Sequence, residues 1–379
     1  LSSDNSIIGI EYNLKEFNPE GFYLTPITNE THLSFFGFHQ KTLMKSNLDL
    51  LGSFRLGFFS VNPGEYVYTN GNANLVLKDD EGNIIEDNEG NRTSLVRDRE
   101  FKNLSFSLGV KKLILDRFEL NSWLMHTMRS PMVEELYSDG PHLASYAFEI
   151  GNPDLEAEKI YGIENSISYK NTSYYSHIPS TFDFSLVTFY NYSPYFFEMS
   201  KDGNCEVPDD WQPWTTHPCY GADWIDWGSG GLGWLHKYST KGYEVLIKGI
   251  EFDLGYKLGN FQSRYNFSLT LGDNKTLGTP LSYINPMKQI LKFEYDSRFV
   301  KCTIRLSKTH SQNRLGEFET YTPGSFLTDF IIALNYKMHN MTIQVNNLFD
   351  EEHYNHLSRI KNITPESGRN FHLIYKVMF

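Results

Sequence analysis

Apolar and polar residues alternate along this sequence with a period of two, in segments of about ten residues. In one segment, broken only by Ser263, the apolar series is Phe261, Tyr265, Phe267, Leu269 and Leu271, and the polar series is Gln262, Arg264, Asn266, Ser268 and Thr270. The same alternation recurs over residues 103–110, 249–258 and 300–307. Because successive side chains of a β-strand point to opposite faces, the pattern predicts an all-β chain whose strands have one apolar and one polar face.

The connections between the predicted strands, about fourteen in number, are sorted by length. Short connections are predicted at residues 45–46, 115–117, 259–260, 296–298 and 339–340, with a longer member of the same set at 171–179. Long loops are predicted at 13–29, 62–100, 130–159, 200–241, 272–287, 309–325 and 351–369. Short turns at one end of the strands and long loops at the other are typical of a transmembrane antiparallel up-and-down β-barrel. A soluble sandwich or propeller also alternates, but nothing in those folds sorts the loops by length.

Composition excludes several other classes of protein. Aromatic residues make up 15% of the chain, which is too many for a disordered protein. No stretch approaches the roughly 18 apolar residues of a membrane helix, so a membrane location requires strands. The net charge of -12, without evident Lys and Arg clusters, argues against a nucleic-acid partner.

The end of the chain has the alternation of a lipid-exposed strand. Its apolar face carries Phe371, Leu373, Tyr375, Val377 and Phe379. This segment resembles the C-terminal strand of outer-membrane proteins, whose terminal Phe is recognised by the barrel-assembly machinery. The resemblance implies a Gram-negative outer membrane, with lipid around the strands and the long loops outside the cell. Two aromatic girdles are predicted from the groups Tyr190, Tyr192, Tyr195, Phe196, Phe197 and Phe35, Phe36, Phe38, Phe58, Phe59, and some of these rings are expected to belong to the core.

Two further stretches carry a more specific resemblance. Residues 129–159 contain Arg-Ser-Pro-Met-Val-Glu-Glu-Leu and Gly-Asn-Pro-Asp-Leu-Glu-Ala-Glu, which resemble the R-x-P-x-x-x-E-L and G-N-P-x-L-x-x-E elements of TonB-dependent receptors. Residues 345–379 contain Asn-Leu-Phe-Asp and Gly-Arg-Asn-Phe, which resemble the closing N-L-F-D and G-R-x-F strands of the same family. The resemblance implies an importer with about twenty-two strands, an N-terminal plug and energy passed through TonB from an inner-membrane complex.

Fourteen predicted strands are fewer than the family barrel contains, and no segment resembles a plug or a TonB box. Residues 1–379 are therefore expected to form the C-terminal part of a receptor barrel. Because the chain opens at Leu1 without an initiator Met or a signal segment, we expect further sequence upstream.

The predicted loop 200–241 is the most unusual one, because it holds five of the 6 tryptophans: Trp211, Trp214, Trp224, Trp227 and Trp234. These rings can stack on a ligand, or they can pack on one another as a small core of the loop, and the second interpretation is favoured. Cys205 and Cys219 are predicted to form a disulfide, since the space outside the cell is oxidising, and a pair of free thiols is the alternative. Cys302 is predicted to pack on the lipid-facing side of its strand. Residues 228–233 match the Gly-x-Gly-x-x-Gly fingerprint of dinucleotide-binding folds, but no βαβ unit surrounds them, so we attribute the match to chance.

Histidines beside carboxylates make two candidate metal sites. Asp139 and His142 lie in a Gly-Pro-His segment that resembles a zinc-receptor-like group of the family, with Glu134 and Glu135 nearby. His353 and His356 have a His-x-x-His spacing among acidic residues. Imidazole and carboxylate are suitable zinc ligands, which makes His142, His353 and His356 metal candidates and Asp139 a ligand-binding candidate. Solvated polar loops are the favoured alternative in both places.

The leading functional hypothesis is TonB-coupled uptake of a scarce nutrient, either a metal ion such as zinc or a metal chelate such as an iron-siderophore. A passive porin-like channel is the first alternative, and a hydrolase at the barrel rim is the second. Neither His-Glu-x-x-His nor Gly-x-Ser-x-Gly occurs, so no enzyme and no bound cofactor are predicted.

Overall fold

A computed structural model of the chain shows an almost entirely β protein. It describes residues 2–19, 24–65, 74–79, 83–88, 90, 92–143, 147–203, 205, 207–208, 210–212, 215, 217–219, 223–226, 234–317 and 319–378. In this part of the chain there are eighteen strands in a single sheet, one short helix α1 (Val133–Tyr137) and one 3-10 turn (Met44–Ser46). None of these helical segments is long and apolar enough to cross a bilayer. The prediction of an all-β chain is confirmed.

Fourteen of the strands have eight or more residues and form the wall of the sheet, whereas β6, β7, β10 and β13 are short additions at one end. In chain order the strands are β1 (Ser2–Phe17), β2 (Thr28–Leu43), β3 (Leu48–Pro63), β4 (Arg99–Ile114), β5 (Phe118–Arg129), β6 (Asp139–His142), β7 (Ala147–Ile150), β8 (Glu158–Tyr175), β9 (Ile178–Lys201), β10 (Trp224–Asp226), β11 (Trp234–Leu258), β12 (Phe261–Asn274), β13 (Thr279–Pro280), β14 (Lys288–Asp296), β15 (Val300–Thr309), β16 (Ser325–Tyr336), β17 (His339–Asn346) and β18 (Asn370–Val377).

Each long strand pairs antiparallel with the next long strand of the chain. The short strands extend this wall: β10 and β13 form hairpins with β11 and β12, β6 pairs with β7, and β7 runs parallel to the first residues of β11. Within the described residues, β1 and β18 each have one neighbour, so the sheet has two edges.

Tight turns join the strands at one end of the sheet. Leu115 and Asp116 (φ 54° and 55°) and Ser176 and His177 (φ 47° and 67°) are consecutive left-handed residues, as in type I′ hairpins, whose twist matches that of the strands. The longer connection predicted at 171–179 is wrong, because β8 continues to Tyr175 and leaves a two-residue turn. Its polar residues are strand residues: the hydroxyls of Thr172 and Thr181 lie 3.2 Å apart across the β8–β9 pair.

Three other predicted boundaries are also wrong. The loop predicted at 13–29 is too long, because β1 extends to Phe17. His339 and Asn340 are the first residues of β17, and the turn before them is Lys337-Met338. The loop predicted at 200–241 is too long, because β9 extends to Lys201 and β11 begins at Trp234. The first residues of β11 pair with the short strands β10 and β7 and carry polar side chains on both faces. The apolar–polar alternation that marks the other strands is therefore absent from this part of the sequence.

The two faces of the sheet differ as the alternation predicts. On β4, Leu104, Phe106 and Leu108 lie exposed on one face. On the opposite face, polar side chains link neighbouring strands. Arg264 of β12 donates to Asp253 of β11 over 2.6 Å and to Asp183 of β9 over 3.0 Å. A face of exposed apolar side chains opposite a face of ion pairs is the arrangement of a barrel wall between lipid and an aqueous lumen.

Aromatic rings mark both ends of the apolar face, although several differ from those predicted. On β8, Tyr169 lies 4.7 Å from Phe118 and 5.8 Å from Phe184, between ring centroids. Eight residues away, Tyr161 stacks on His126 at 4.6 Å. Two of the predicted girdle residues, Phe59 and Phe197, pack instead against a buried cluster beneath the long connections.

The family-like segments of residues 129–158 form one packed unit, which we call the Arg129 clasp. Arg129 donates two hydrogen bonds to Glu135, of 2.8 and 3.0 Å, and one of 2.8 Å to Glu158. Beneath these ion pairs, α1 and residues 151–157 bury the core cluster Val61, Phe101, Val133, Leu136, Tyr137, Leu155, Ala157 and Phe197. A Cβ on Gly151 would lie 2.5 Å from backbone atoms of Leu136 and Tyr137, so only glycine allows this approach.

The closing motifs form a second junction, between β17 and β18. Asn347 adopts φ 51°, and its side-chain amide bonds both the N–H and the carbonyl of Glu351. Asp350 accepts the backbone N–H of Arg369 over 2.7 Å. The N-L-F-D and G-R segments therefore hold the two ends of the last long connection together.

We expect Arg129→Ala to loosen the clasp. The Glu158 side chain is only 7% exposed and would lose its cation, at a cost of about 2 to 4 kcal/mol in local opening free energy. Hydrogen exchange of the Leu136 and Asn152 amides measures this opening. Arg97→Ala is the matched control, because its partner Asp154 is 71% exposed and such pairs contribute about 0 to 1 kcal/mol. Equal protection in both variants would contradict the role given to Arg129.

Candidate ligand-binding site

The long connections fold onto one another at the end of the sheet opposite the tight turns, and Asp139 is one of their anchors. Its carboxylate accepts the backbone N–H and the side-chain amide of Asn74, over 2.9 and 2.7 Å, and its own N–H donates to Leu24. Asp139 is 3% exposed, and burial raises its pKa to about 7. The assignment of Asp139 as a ligand-binding residue is therefore not supported: the side chain is enclosed by the connections it joins.

The described tryptophans of the Trp-rich connection pack around a histidine. The ring of His217 is buried, with centroids 4.6 Å from Trp211, 4.4 Å from Trp224 and 5.2 Å from Trp234. Burial lowers the pKa of His217, so the ring is neutral at pH 7. Trp214, Trp227 and residues 228–233 lie outside the described residues. This arrangement supports the interpretation that the rings form a core of the connection.

A disulfide joins the two cysteines of this connection. The Cα atoms of Cys205 and Cys219 are 5.7 Å apart, and the backbone N–H of Cys219 donates to Nδ1 of His217 over 3.1 Å. The bridge is therefore directly attached to the Trp-His core. Cys302 is a free thiol on β15, aligned with the apolar residue Ile304.

Neither of the two candidate metal sites, at His142 or at His353 and His356, gathers three ligands among the described residues. His142 contacts Glu149 through Nδ1 at 2.8 Å, His353 lies 3.3 Å from the carbonyl of Glu351, and His356 is buried elsewhere. Throughout the part of the chain that the structure describes, no three His, Cys, Asp or Glu side chains gather as metal ligands. His353 is partly exposed, whereas His356 is buried against Thr322 and Glu319, so the His-x-x-His spacing does not bring the two rings to one site.

A pocket at this end of the sheet has the properties of a binding site. It is a cavity of about 80 Å³ that opens to solvent, and six separate parts of the chain contribute to it. Its lining residues are Ala147, Met199, Tyr238, Tyr283, Glu319, Thr320, His356, Ser358, Arg359, Lys361 and Asn362. We call it the Arg359 pocket.

Arg359 carries the exposed positive charge of the pocket. Its guanidinium donates to Glu149 over 3.1 Å and lies 5.4 Å from the centre of the Tyr283 ring. Its side chain is still 30% exposed. Glu149 also contacts His142, so this predicted metal candidate is linked to the pocket through the Glu149 carboxylate. The other predicted residue, His356, lines the pocket itself. Burial raises the pKa of Tyr283 to about 12, so its hydroxyl remains protonated at neutral pH.

A buried charge cluster forms the floor of the pocket. Lys361 donates to the Thr320 carbonyl and the Thr322 hydroxyl, both over 2.6 Å, and to Nδ1 of His356 over 3.2 Å. Because the ammonium has no acceptor, Nδ1 of His356 is unprotonated and its Nε2 carries the hydrogen. That Nε2 lies 3.0 Å from Glu319, although outside the geometry of a good hydrogen bond.

Glu319 fixes the floor to the surrounding connections. Its two carboxylate oxygens accept the backbone N–H groups of Tyr283 and Gly316, each over 2.8 Å. Burial lowers the pKa of both His356 and Lys361. The floor therefore combines one carboxylate, one ammonium and a neutral imidazole, while the Arg359 charge faces the opening.

Sequence reasoning found His356 but missed Arg359, Lys361, Glu319 and Tyr283. They come from three connections without regular structure, and their proximity depends on how those connections pack. The available signal was the pair of basic residues at Arg359 and Lys361, in a segment otherwise dominated by acids and amides.

The antiparallel sheet, its two unlike faces and its one-sided long connections define a transmembrane β-barrel protein. A family model described as "TonB dependent receptor-like, beta-barrel" matches residues 3–348, and the chain belongs to this family. The barrel resembles the copper transporter OprC, with a TM-score of 0.72 and 16% identity over 99% of this chain and 54% of that chain.

Two other solved structures are similar. The FrpB iron transporter from Neisseria meningitidis has a TM-score of 0.62 and 13% identity over 99% of this chain and 52% of that chain. The Serratia marcescens hemophore receptor HasR, solved with its hemophore HasA and heme, has a TM-score of 0.64 and 13% identity over 100% of this chain and 58% of that chain. The chain thus spans between half and three fifths of these receptors, and the likeness shows the fold.

We expect the anchoring of residues 74–75 by Asp139 to weaken as the pH rises. The folded pKa, about 7, is above the unfolded value of 3.8, so this contribution is complete below about pH 4 and is lost as the pH passes 7. Hydrogen exchange of the Leu75 amide at pH 5 and pH 8, corrected for intrinsic exchange, measures the change. Asp139→Asn should remove the pH dependence, and a variant that retains it would show that another group is responsible.

Proposed function

We propose that the chain forms the C-terminal part of the barrel of an outer-membrane receptor that takes up a small anionic metal chelate, with energy supplied through TonB. The Arg359 pocket carries this proposal. It is assembled from several connections at one mouth of the barrel, and it presents a cation and tyrosines to the solvent. These are suitable groups for a ligand with carboxylate, phenolate or other oxygen anions.

The pocket suits one anionic group of a chelate better than a bare metal ion, because its cavity of about 80 Å³ has room for a small group only. The two carboxylates there are already engaged, because Glu149 contacts Arg359 and His142, while Glu319 accepts two backbone N–H groups. No set of three metal-binding side chains is found among the described residues. The similar structures are a copper transporter, an iron transporter and a hemophore receptor solved with heme, which supports a metal-containing cargo over other nutrients.

The passive channel and the rim hydrolase have less support. Family membership favours TonB-coupled transport over passive flow. Thr322, His356 and Glu319 follow the order of groups in a hydrolytic triad, with the Thr322 hydroxyl 2.8 Å from Nδ1 of His356. Lys361, however, binds both that hydroxyl and that nitrogen, and all these groups are buried, so the hydroxyl has neither a free base nor access to a substrate.

We further propose an orientation of the barrel in the outer membrane. The long connections lie outside the cell, the tight turns face the periplasm, and outer-membrane lipid covers the apolar face. Lipid tolerates no open sheet edge, so β1 and β18 need partner strands, as the larger size of the similar receptors also suggests. The plug that contacts TonB is then a separate segment of the receptor. Phe379, assigned to the barrel-assembly machinery, lies outside the described residues.

We expect Arg359→Gln to weaken binding of the cargo by the intact receptor at least tenfold, because the exposed cation is lost. Binding would be measured against ferric catecholate, hydroxamate and citrate complexes and heme. Arg314→Gln is the matched control: Arg314 is 38% exposed, against 30% for Arg359, and lies in a neighbouring connection, but it pairs with Asp273 outside the pocket. Equal affinities of the two variants for whichever complex binds would contradict the assignment of the pocket.

Uptake tests the transport part separately. Accumulation of the bound complex should stop when TonB is deleted or the inner-membrane proton gradient is collapsed, while surface binding persists. Uptake that continues under both conditions would support the passive channel.

A further inference from the structure

The tight turns at one end of the sheet carry an excess of positive charge. Six such turns join the strand pairs β2–β3, β4–β5, β8–β9, β11–β12, β14–β15 and β16–β17. Their Lys, Arg, Asp and Glu side chains are Lys45, Asp116, Arg117, Arg298 and Lys337, which are four cations and one carboxylate. The whole chain has a net charge of -12, so its negative charge is carried by other segments. The turn end of the barrel is therefore suited to an anionic partner.

Two of these cations lie over aromatic rings in adjacent turns. The guanidinium of Arg298 is 5.3 Å from the centre of the Phe299 ring, and Nζ of Lys337 is 5.4 Å from the centre of the Tyr336 ring. The turns are adjacent because β15 pairs with β16, and the backbone N–H of Asn335 donates to the Phe299 carbonyl over 2.8 Å. We call Arg298, Phe299, Tyr336 and Lys337 the Arg298 cluster.

The Arg298 cluster lies where the apolar face of the sheet meets the turns. Tyr336 follows Ile332 and Leu334 on the apolar face of β16. Tyr336 is 62% exposed and Phe299 is 54% exposed. Exposed rings at the end of an apolar face are stable at the headgroup level of a bilayer, and Lys and Arg side chains extend from there to polar groups. The two cations are thus placed at the depth of lipid headgroups.

Neither cation has a carboxylate partner in the described part of the chain. Asp296 and Glu294 are the nearest carboxylates in the sequence, and both bind Lys301, over 3.0 and 2.8 Å. Arg298 and Lys337 are exposed, and no described Asp or Glu lies within ion-pair distance of them. At headgroup depth the available anion is a lipid phosphate, and guanidinium and ammonium groups are suitable donors to its oxygens.

We propose that the Arg298 cluster binds the phosphate of an anionic phospholipid in the leaflet on the tight-turn side. Arg298 and Lys337 hold the phosphate oxygens, and the acyl chains lie along the Phe299 and Tyr336 rings. A lipid fits better than a free phosphate because it covers these exposed rings as well. The site prefers a lipid of net negative charge, because the ammonium of a zwitterionic headgroup competes with the two cations. The proposal rests on the barrel spanning a membrane, and neither on the Arg359 pocket nor on TonB.

A fluorophore beside the cluster tests the proposal in the intact receptor. Bimane is attached to Met338→Cys in a Cys302→Ser background, and the receptor is reconstituted in bilayers of phosphatidylcholine and phosphatidylglycerol. Quenching by brominated forms of each lipid gives their relative binding constant at this position. We expect a preference of about tenfold for phosphatidylglycerol, since two cations act on its phosphate. Arg298→Gln combined with Lys337→Gln should abolish the preference.

The matched control is a second pair of cations without ring contacts. Lys45 and Arg117 are exposed in two other adjacent turns, where the backbone N–H of Leu113 donates to Asn47 over 3.0 Å. Bimane at Ser46→Cys should report a preference about threefold lower than at residue 338. Lys45→Gln combined with Arg117→Gln removes the same charge and should leave the preference at residue 338 unchanged. Heat-modifiable migration would show that all variants are folded.

Three results would overturn the proposal. A preference at residue 338 that survives Arg298→Gln with Lys337→Gln would show that other groups select the lipid. Equal preferences at residues 46 and 338 would show a general effect of surface charge. Loss of phosphatidylglycerol quenching in inorganic phosphate, but not in chloride of the same ionic strength, would make the ligand a soluble anion.

Discussion

Backbone hydrogen bonding between neighbouring antiparallel strands is the constraint on which the rest of this structure depends. In hydrocarbon every N–H and C=O of a strand needs a partner, so the strands pair over nearly their full length and the joining turns are tight. With register fixed by pairing, side chains alternate strictly between the two faces. One face is then free to be apolar, while the other collects ion pairs such as Arg264 with Asp183 and Asp253.

The same pairing sets the position of the functional groups. The strands supply a rim, and the long connections must satisfy their polar groups by binding to one another above it. Asp139, Arg129 and Glu319 do this with backbone and side-chain donors from distant segments. At the Arg359 pocket, Glu319 is the anchor that joins the segments of Tyr283 and Gly316.

The sequence was informative wherever a local pattern decides the structure. Alternation over residues 103–110 and 261–271 identified real strands and their apolar faces, and the family-like motifs marked the clasp and the last junction. The local sequence pattern was misleading where contacts with a neighbouring strand decide the structure. Thr172 was predicted to lie in a loop, but it is a strand residue that pairs with Thr181 across a hairpin. The local pattern also failed for Asp139, whose burial depends on residues 74–75, and for Arg359, whose site is built from segments far apart in the chain.

The most direct test of the central claim is the accessibility of single cysteines placed at residues 103–110 of β4 in the intact receptor, in a background without Cys302. Spin labels at 104, 106, 108 and 110 should collide with lipid-soluble oxygen, and labels at 103, 105, 107 and 109 with a water-soluble nickel chelate, in strict alternation. Equal exposure of the two series to the nickel chelate would show that the apolar face is not in lipid, and it would contradict the barrel account.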